Sequence, residues 1–168
     1  MIKALVIAAG IFTISMRSYA FDQWNVTGTS CVADAASIRD SLYIGTGGTV
    51  KFAAQKVGNI VLYCPVAFNL GFKPTVLGMT YYDDTAAVGN HVSVQFIKME
   101  IGTGALTKIV TIDSDIAASI TSHGNASLIG QEFEDAYDPK NFAYYLRIDI
   151  IRNSPTANET IYAVSLLK

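Results

Sequence analysis

Few residues in this chain are suited to covalent chemistry. The two histidines are His91 and His123, and the two cysteines are Cys31 and Cys64. A serine nucleophile needs a base beside its hydroxyl, and no Gly-x-Ser-x-Gly turn occurs to present one. A Ser-His-Asp set assembled from distant positions stays open. His91 sits at the start of a strand after Gly89-Asn90, and His123 precedes Gly124 in a polar loop, and both read as solvent-exposed turn residues. Structural zinc needs three or four Cys, His or carboxylate ligands at suitable spacing, and two lone histidines with the cysteines bridged argue against such a site. Gly45-Thr46-Gly47-Gly48 lacks the Gly-Lys-Ser/Thr ending of a phosphate loop and reads as a turn.

Acidic residues give calcium the strongest claim among small ions, because it collects oxygen ligands from loops. Three places qualify: Asp83-Asp84, Asp113-x-Asp115, and the group Glu132, Glu134, Asp135 and Asp138. The second is not an EF-hand, since Ala117 and Ala118 stand where further ligands and a glycine are required. Asp83 and Asp84 are best placed, at the end of a strand that is rigid on one side. Paired carboxylates also suit glycoside hydrolysis, but that chemistry needs a deep cleft that short strands seldom build.

Aromatic residues are the other resource, with nine Tyr, eight Phe and one Trp, Trp24. A tyrosine ring joins a broad apolar face to a polar tip, which suits stacking on sugars and contact with proteins. Tyr81-Tyr82 and Tyr144-Tyr145 are adjacent pairs, and on a strand each pair sends one ring inward and one outward. Tyr145 shares its face with Arg147 and Asp149. Tyr82, Tyr145, Arg147 and Asp149 are therefore the candidate ligand-binding residues.

The elements that position these groups read as strands. Over 142–151, Phe142, Tyr144, Leu146, Ile148 and Ile150 alternate with Ala143, Tyr145, Arg147, Asp149 and Ile151. That period of two predicts a strand with one face on a core. Residues 92–99 and 160–168 alternate similarly, and 49–53, 59–64, 76–83 and 108–113 are strand-like by β-branched and aromatic content. Gly102-Thr103-Gly104 suits a hairpin turn, residues 56–59 separate two strands at hairpin distance, and 153–159 predicts an antiparallel hairpin between the last two strands. Asp34 suits the cap of a short helix reaching Leu42, with Ile38 and Leu42 on one face, and 115–122 has the same spacing. Neither is long enough for a parallel crossover. The expected fold is all-β, an antiparallel β-sandwich or jelly roll of about seven to nine short strands.

Residues 1–20 read as a signal peptide and 21–168 as one domain. Met1-Ile2-Lys3 gives a basic start, Ala4 to Ile14 is almost unbroken in apolar character, and Ser18-Tyr19-Ala20 suits cleavage. The leader holds Lys3 and Arg17 and no acid, so the mature chain keeps 10 basic and 14 acidic residues. No later stretch approaches the roughly 18 apolar residues of a membrane span. The acidic balance and lack of a basic run argue against nucleic acid as a partner. The protein is expected to be secreted or periplasmic, where disulfides persist. Cys31 and Cys64 allow one bridge, closing a loop of about 33 residues for roughly 3–4 kcal/mol of stabilisation, with two buried free thiols as the alternative.

Ser30-Cys31-Val32, Val50-Lys51-Phe52, Ile60 to Val66 and Met79-Thr80-Tyr81-Tyr82-Asp83 form a pattern with the strands 142–145 and 162–166. The pattern resembles a group of small exported bacterial β-sandwich proteins. The resemblance implies export, the disulfide and an all-β fold, and carries over no catalytic residues. The functional expectation is a non-enzymatic binding module with a carbohydrate ligand. The alternative is a subunit of an extracellular assembly such as a filament or surface layer. Its self-association would run through 92–99 and 160–168, which carry little charge. A small hydrolase stands last.

Overall fold

The computed structural model describes residues 23–40, 43–67, 72–83, 89–115, 127–135 and 137–168, with the backbone alone at 127–129. The expected leader and all but the first residue of the expected helical turn at 115–122 lie outside the described residues. The elements are β1 (Gln23–Thr27), a 3-10 turn (Gly28–Ser30), β2 (Val32–Ala33), α1 (Ala35–Arg39), β3 (Tyr43–Thr46) and β4 (Thr49–Phe52). There follow β5 (Gly58–Pro65), β6 (Val76–Asp83), β7 (His91–Glu100), β8 (Leu106–Asp113), β9 (Ser127–Glu132), β10 (Phe142–Arg152) and β11 (Glu159–Leu167).

These strands form two antiparallel sheets. Sheet I runs β3-β4-β11-β6-β9, with β1 also paired to β11, and sheet II runs β2-β5-β10-β7-β8. The all-β sandwich expected from the alternation is the observed fold. Strand β10 is central in sheet II and turns Leu146, Ile148 and Ile150 inward, all at 0 % exposure. Ile60, Leu62, Val92, Val94 and Phe96 join them from β5 and β7. Leu77, Met79, Tyr81, Ile161, Val164 and Leu166 answer from sheet I. Each fully buried aliphatic side chain contributes about 1.5–3 kcal/mol by leaving water.

Several connections differ from the sequence expectation. The segment after β10 is not a hairpin, because β10 belongs to sheet II and β11 to sheet I. Arg152, 7 % exposed, holds this crossover by donating from Nε to the Ser154 carbonyl at 3.0 Å, from Nη1 to Ala53 at 3.4 Å and from Nη2 to Pro155. Residues 56–59 likewise lead from β4 in sheet I to β5 in sheet II. The true tight hairpin is β3–β4, where Gly47 and Gly48 take φ of +59° and +86°. Such angles suit the two-residue turn that follows strand twist. The β7–β8 hairpin around Gly102–Gly104 forms as expected, with a register shift at Phe96/Ile97.

Helix α1 begins at the predicted cap, where Asp34 Oδ1 accepts the Ser37 N–H at 2.7 Å. Its inward residue is Ser37, however, and Ile38 is 55 % exposed. Ser37 Oγ accepts the Val61 N–H, so the helix binds the edge of β5 through a hydroxyl rather than an apolar stripe. Cys31 and Cys64 are joined by a disulfide, resolving the two cysteine readings in favour of the bridge.

Candidate functional site

The outer face of sheet II is built by the odd residues of β10 and their cross-strand partners. Arg147 lies opposite Tyr63 on β5 and Gln95 on β7, and Tyr145 lies between Pro65 and Ile97. Asp149 lies between Val61 and Ser93. Tyr145, Arg147 and Asp149, which the strand period placed on one face, are thus brought together. Sequence reasoning missed Tyr63 and Asn59, which reach the face from β5.

These groups hold one another. Arg147 donates from Nε to Asp149 Oδ2 at 2.9 Å and from Nη2 to Oδ1 at 2.8 Å. Asn59 Nδ2 donates to the same Oδ1 at 3.0 Å. A forked, two-point bond fixes the guanidinium plane, and charge roughly doubles the strength of each hydrogen bond. The Asp149 side chain is 7 % exposed while Arg147 keeps 38 %, so the carboxylate is the anchor and the guanidinium is the group presented to solvent. The hydrogen bonds from Arg147 to Asp149 push the Arg147 pKa up, so its charge is fixed. The Tyr63 and Tyr145 rings stand 6.0 Å apart, tilted by 58°. Tyr63 is 39 % exposed. Burial raises the Tyr145 phenol, with a further contribution from Tyr63, which keeps it a neutral donor. The result is a platform of two rings beside a fixed cation, with amide groups from Asn59 and Gln95 at its sides.

Tyr82 does not belong to this group. Its neighbour Tyr81 fills the core at 0 % exposure, where burial and then the Asp83 charge push the phenol up to about 12. Tyr82 therefore points out of sheet I, opposite Thr160, on the far side of the sandwich. Tyr144, neighbour of Tyr145, is inward as expected. It accepts the Asp138 N–H on its hydroxyl at 2.9 Å and packs on Phe96 and Tyr137.

The calcium candidates divide differently. Asp83 ends β6 as expected, and its Oδ2 accepts the Ser114 hydroxyl at 2.7 Å, while Ser114 Oγ accepts the Val92 N–H. That bond ties β6 of sheet I to the ends of β7 and β8 in sheet II. Asp84 lies outside the described residues, as does His123. The third acidic group is dispersed: Asp135 pairs with Lys98 at 2.6 Å, and Asp138 accepts from Asn141 at 2.7 Å. Glu132 and Glu134 line an open depression with Thr75 and Phe133.

His91 starts strand β7 as expected, but the solvent-facing reading is corrected: its side chain is only 19 % exposed. Nε2 faces Asp113 Oδ2 at 3.7 Å and Nδ1 faces Asp115 Oδ2 at 3.4 Å. The signal lay in the β7–β8 hairpin, since counting outward from its turn sets 113 and 115 beside 91–93. Among the described residues no helix is long and apolar enough to cross a membrane.

No family model matches the chain, and no curated protein matches it in sequence. Among solved structures it is similar to a family two carbohydrate esterase from Cellvibrio japonicus, at 12 % identity and a TM-score of 0.39, over 86 % of this chain and 32 % of that one. It is also similar to the xylan-binding module CBM15, at 12 % identity and a TM-score of 0.44, over 88 % of this chain and 92 % of that one. A cleaved adhesin domain of Lys-gingipain gives 12 % identity and a TM-score of 0.40, over 88 % of this chain and 90 % of that one. The chain spans about a third of the esterase's length, 32 %. Likenesses this distant say nothing of this chain's own ligand.

Proposed function

We propose that the protein is a non-catalytic binding module that takes a carbohydrate on the outer face of sheet II. The observation that carries this reading is the Tyr63–Tyr145 ring pair standing beside the forked Arg147–Asp149 pair on one outer sheet face. Rings supply apolar area at low entropic cost, and the fixed guanidinium and amides supply hydrogen bonds at defined positions. A sugar offers the matching surface: an apolar ring face rimmed by hydroxyls that donate and accept. Affinity electrophoresis against soluble xylan, β-glucan and galactan tests the proposal. Retardation by at least one of them is expected, lost in Tyr145→Ala and kept in Tyr82→Ala. Absence of retardation by all three, or its survival in Tyr145→Ala, contradicts the reading.

One observation favours self-association as a second reading, though not through the strands expected. Strands β7 and β11 each have neighbours on both sides and cannot add a further chain. The edge strand β3 carries no charged residue, and its Ile44 is 45 % exposed. Uncharged edges invite pairing. Light scattering of the oxidised protein separates the readings: a monomer excludes assembly through β3, and a growing mass lowered by Ile44→Lys supports it.

A further inference from the structure

We propose that His91, Asp113 and Asp115 form a binding site for a divalent transition metal of the zinc type. One ring nitrogen and one oxygen from each carboxylate all lie within 4.8 Å of one another. With bonds of about 2.0–2.2 Å, two donors on a tetrahedral ion stand roughly 3.3–3.6 Å apart. The contact of 3.4 Å between His91 Nδ1 and Asp115 Oδ2 matches that spacing and exceeds an N–H···O hydrogen bond, which spans about 2.7–3.2 Å.

His91 Nδ1 supplies a second, independent observation. It is buried and has no hydrogen-bond partner, although a carboxylate oxygen stands before it. A buried nitrogen left so is costly, and a cation shared by the three side chains satisfies it. Asp113 is tied to Asp115, whose N–H its Oδ1 accepts at 3.0 Å, and its Oδ2 stands beside the Nε2 edge of the same ring. Such outer hydrogen bonds aim metal ligands. The donor set chooses the metal class. Calcium wants oxygens alone, whereas one imidazole with two carboxylates suits zinc and keeps a fourth position for water.

The site joins the start of β7 to the end of β8, on the same outer face as the ring platform. Asp149, Ser93 and Asp113 stand in one cross-strand row, so the ion sits about 10 Å from Asp149 at two strand spacings. Its occupancy is therefore measurable without any glycan. Calorimetric titration of zinc chloride into the chelator-stripped, oxidised protein is expected to give one site per chain. Affinity is expected to fall at least about tenfold in both His91→Ala and Asp115→Ala, and to persist in His123→Ala. Asp115 lies beyond the end of β8, so its variant tests the site if His91→Ala fails to fold. No saturable zinc binding, binding unchanged in Asp115→Ala, or tighter binding of calcium chloride than of zinc overturns the proposal.

Discussion

The two outer faces of the sandwich are built on the same alternation and end up chemically unlike. On sheet II, β10 and β5 set Tyr145, Arg147, Asp149 and Tyr63 outward, and hydrogen bonds lock the polar ones together. On sheet I, the corresponding rows hold Asn25, Ser165 and Gly78, then Thr27, Ala163 and Thr80. One face offers large side chains held in place, and the other offers short ones close to the backbone. Recognition of a ligand favours the first, because ordering a side chain in advance removes that entropy from the binding step. Among the described residues no Arg–Asp fork stands beside Tyr82 on the sheet I face.

The largest effect expected from this contrast comes from turning to the other side of β10. Ile148→Ala removes a fully buried side chain and is expected to cost about 2–5 kcal/mol in urea unfolding. Tyr145→Ala, three residues away on the outward side, is expected to cost about 1 kcal/mol or less. Equal losses would mean that the outer ring is structural. Next comes Arg147→Met, which leaves the Asp149 carboxylate with Asn59 as its remaining partner from the fork. A stability loss of about 1–3 kcal/mol is expected, together with loss of retardation by the polysaccharide. A stable variant that still binds would break the claim that the fork is preorganised for recognition.

Smaller is the effect of Asp34→Ala at the cap of α1, about 1 kcal/mol. The hydrogen bond from Ser37 lowers the Asp34 pKa from its ordinary 3.8, with help from Arg147 and Arg39. A lowered folded pKa means that this stabilisation is present above the ordinary value and lost as pH falls through the lowered one. The stability gap between the two proteins is therefore expected to close in acid, as read by urea midpoints across that range. A gap that widens in acid would contradict the cap.

Much of the favoured face was legible in the sequence for a local reason. Tyr145, Arg147 and Asp149 are two residues apart, and a strand puts such residues on one side whatever lies beside it. Tyr63 and Asn59 were not legible, because Asn59 and Asp149 are 90 residues apart and only the sheet order joins them. The same limit explains the connection after β10. A short Pro-containing segment serves either a hairpin or a crossover, and the choice rests on Arg152 binding the carbonyls of residues 53, 154 and 155. The burial of His91 was missed for a related reason: its place at a strand start is local, but Asp113 and Asp115 reach it only through the β7–β8 pairing. The helix cap at Asp34 was local and held, while the apolar role given to Ile38 failed because Ser37 takes the inward position.

On the proposed reading, the outer face of sheet II binds the ligand and that of sheet I does not. The most direct test of that reading is a titration of the isotopically labelled protein with the oligosaccharide from whichever polysaccharide retards it, followed by backbone and side-chain resonances. Shifts are expected to concentrate at Tyr63, Tyr145, Arg147 and Gln95, with Tyr82, Thr80 and Ser165 unmoved. Shifts centred on Tyr82 and its neighbours on sheet I would contradict the reading.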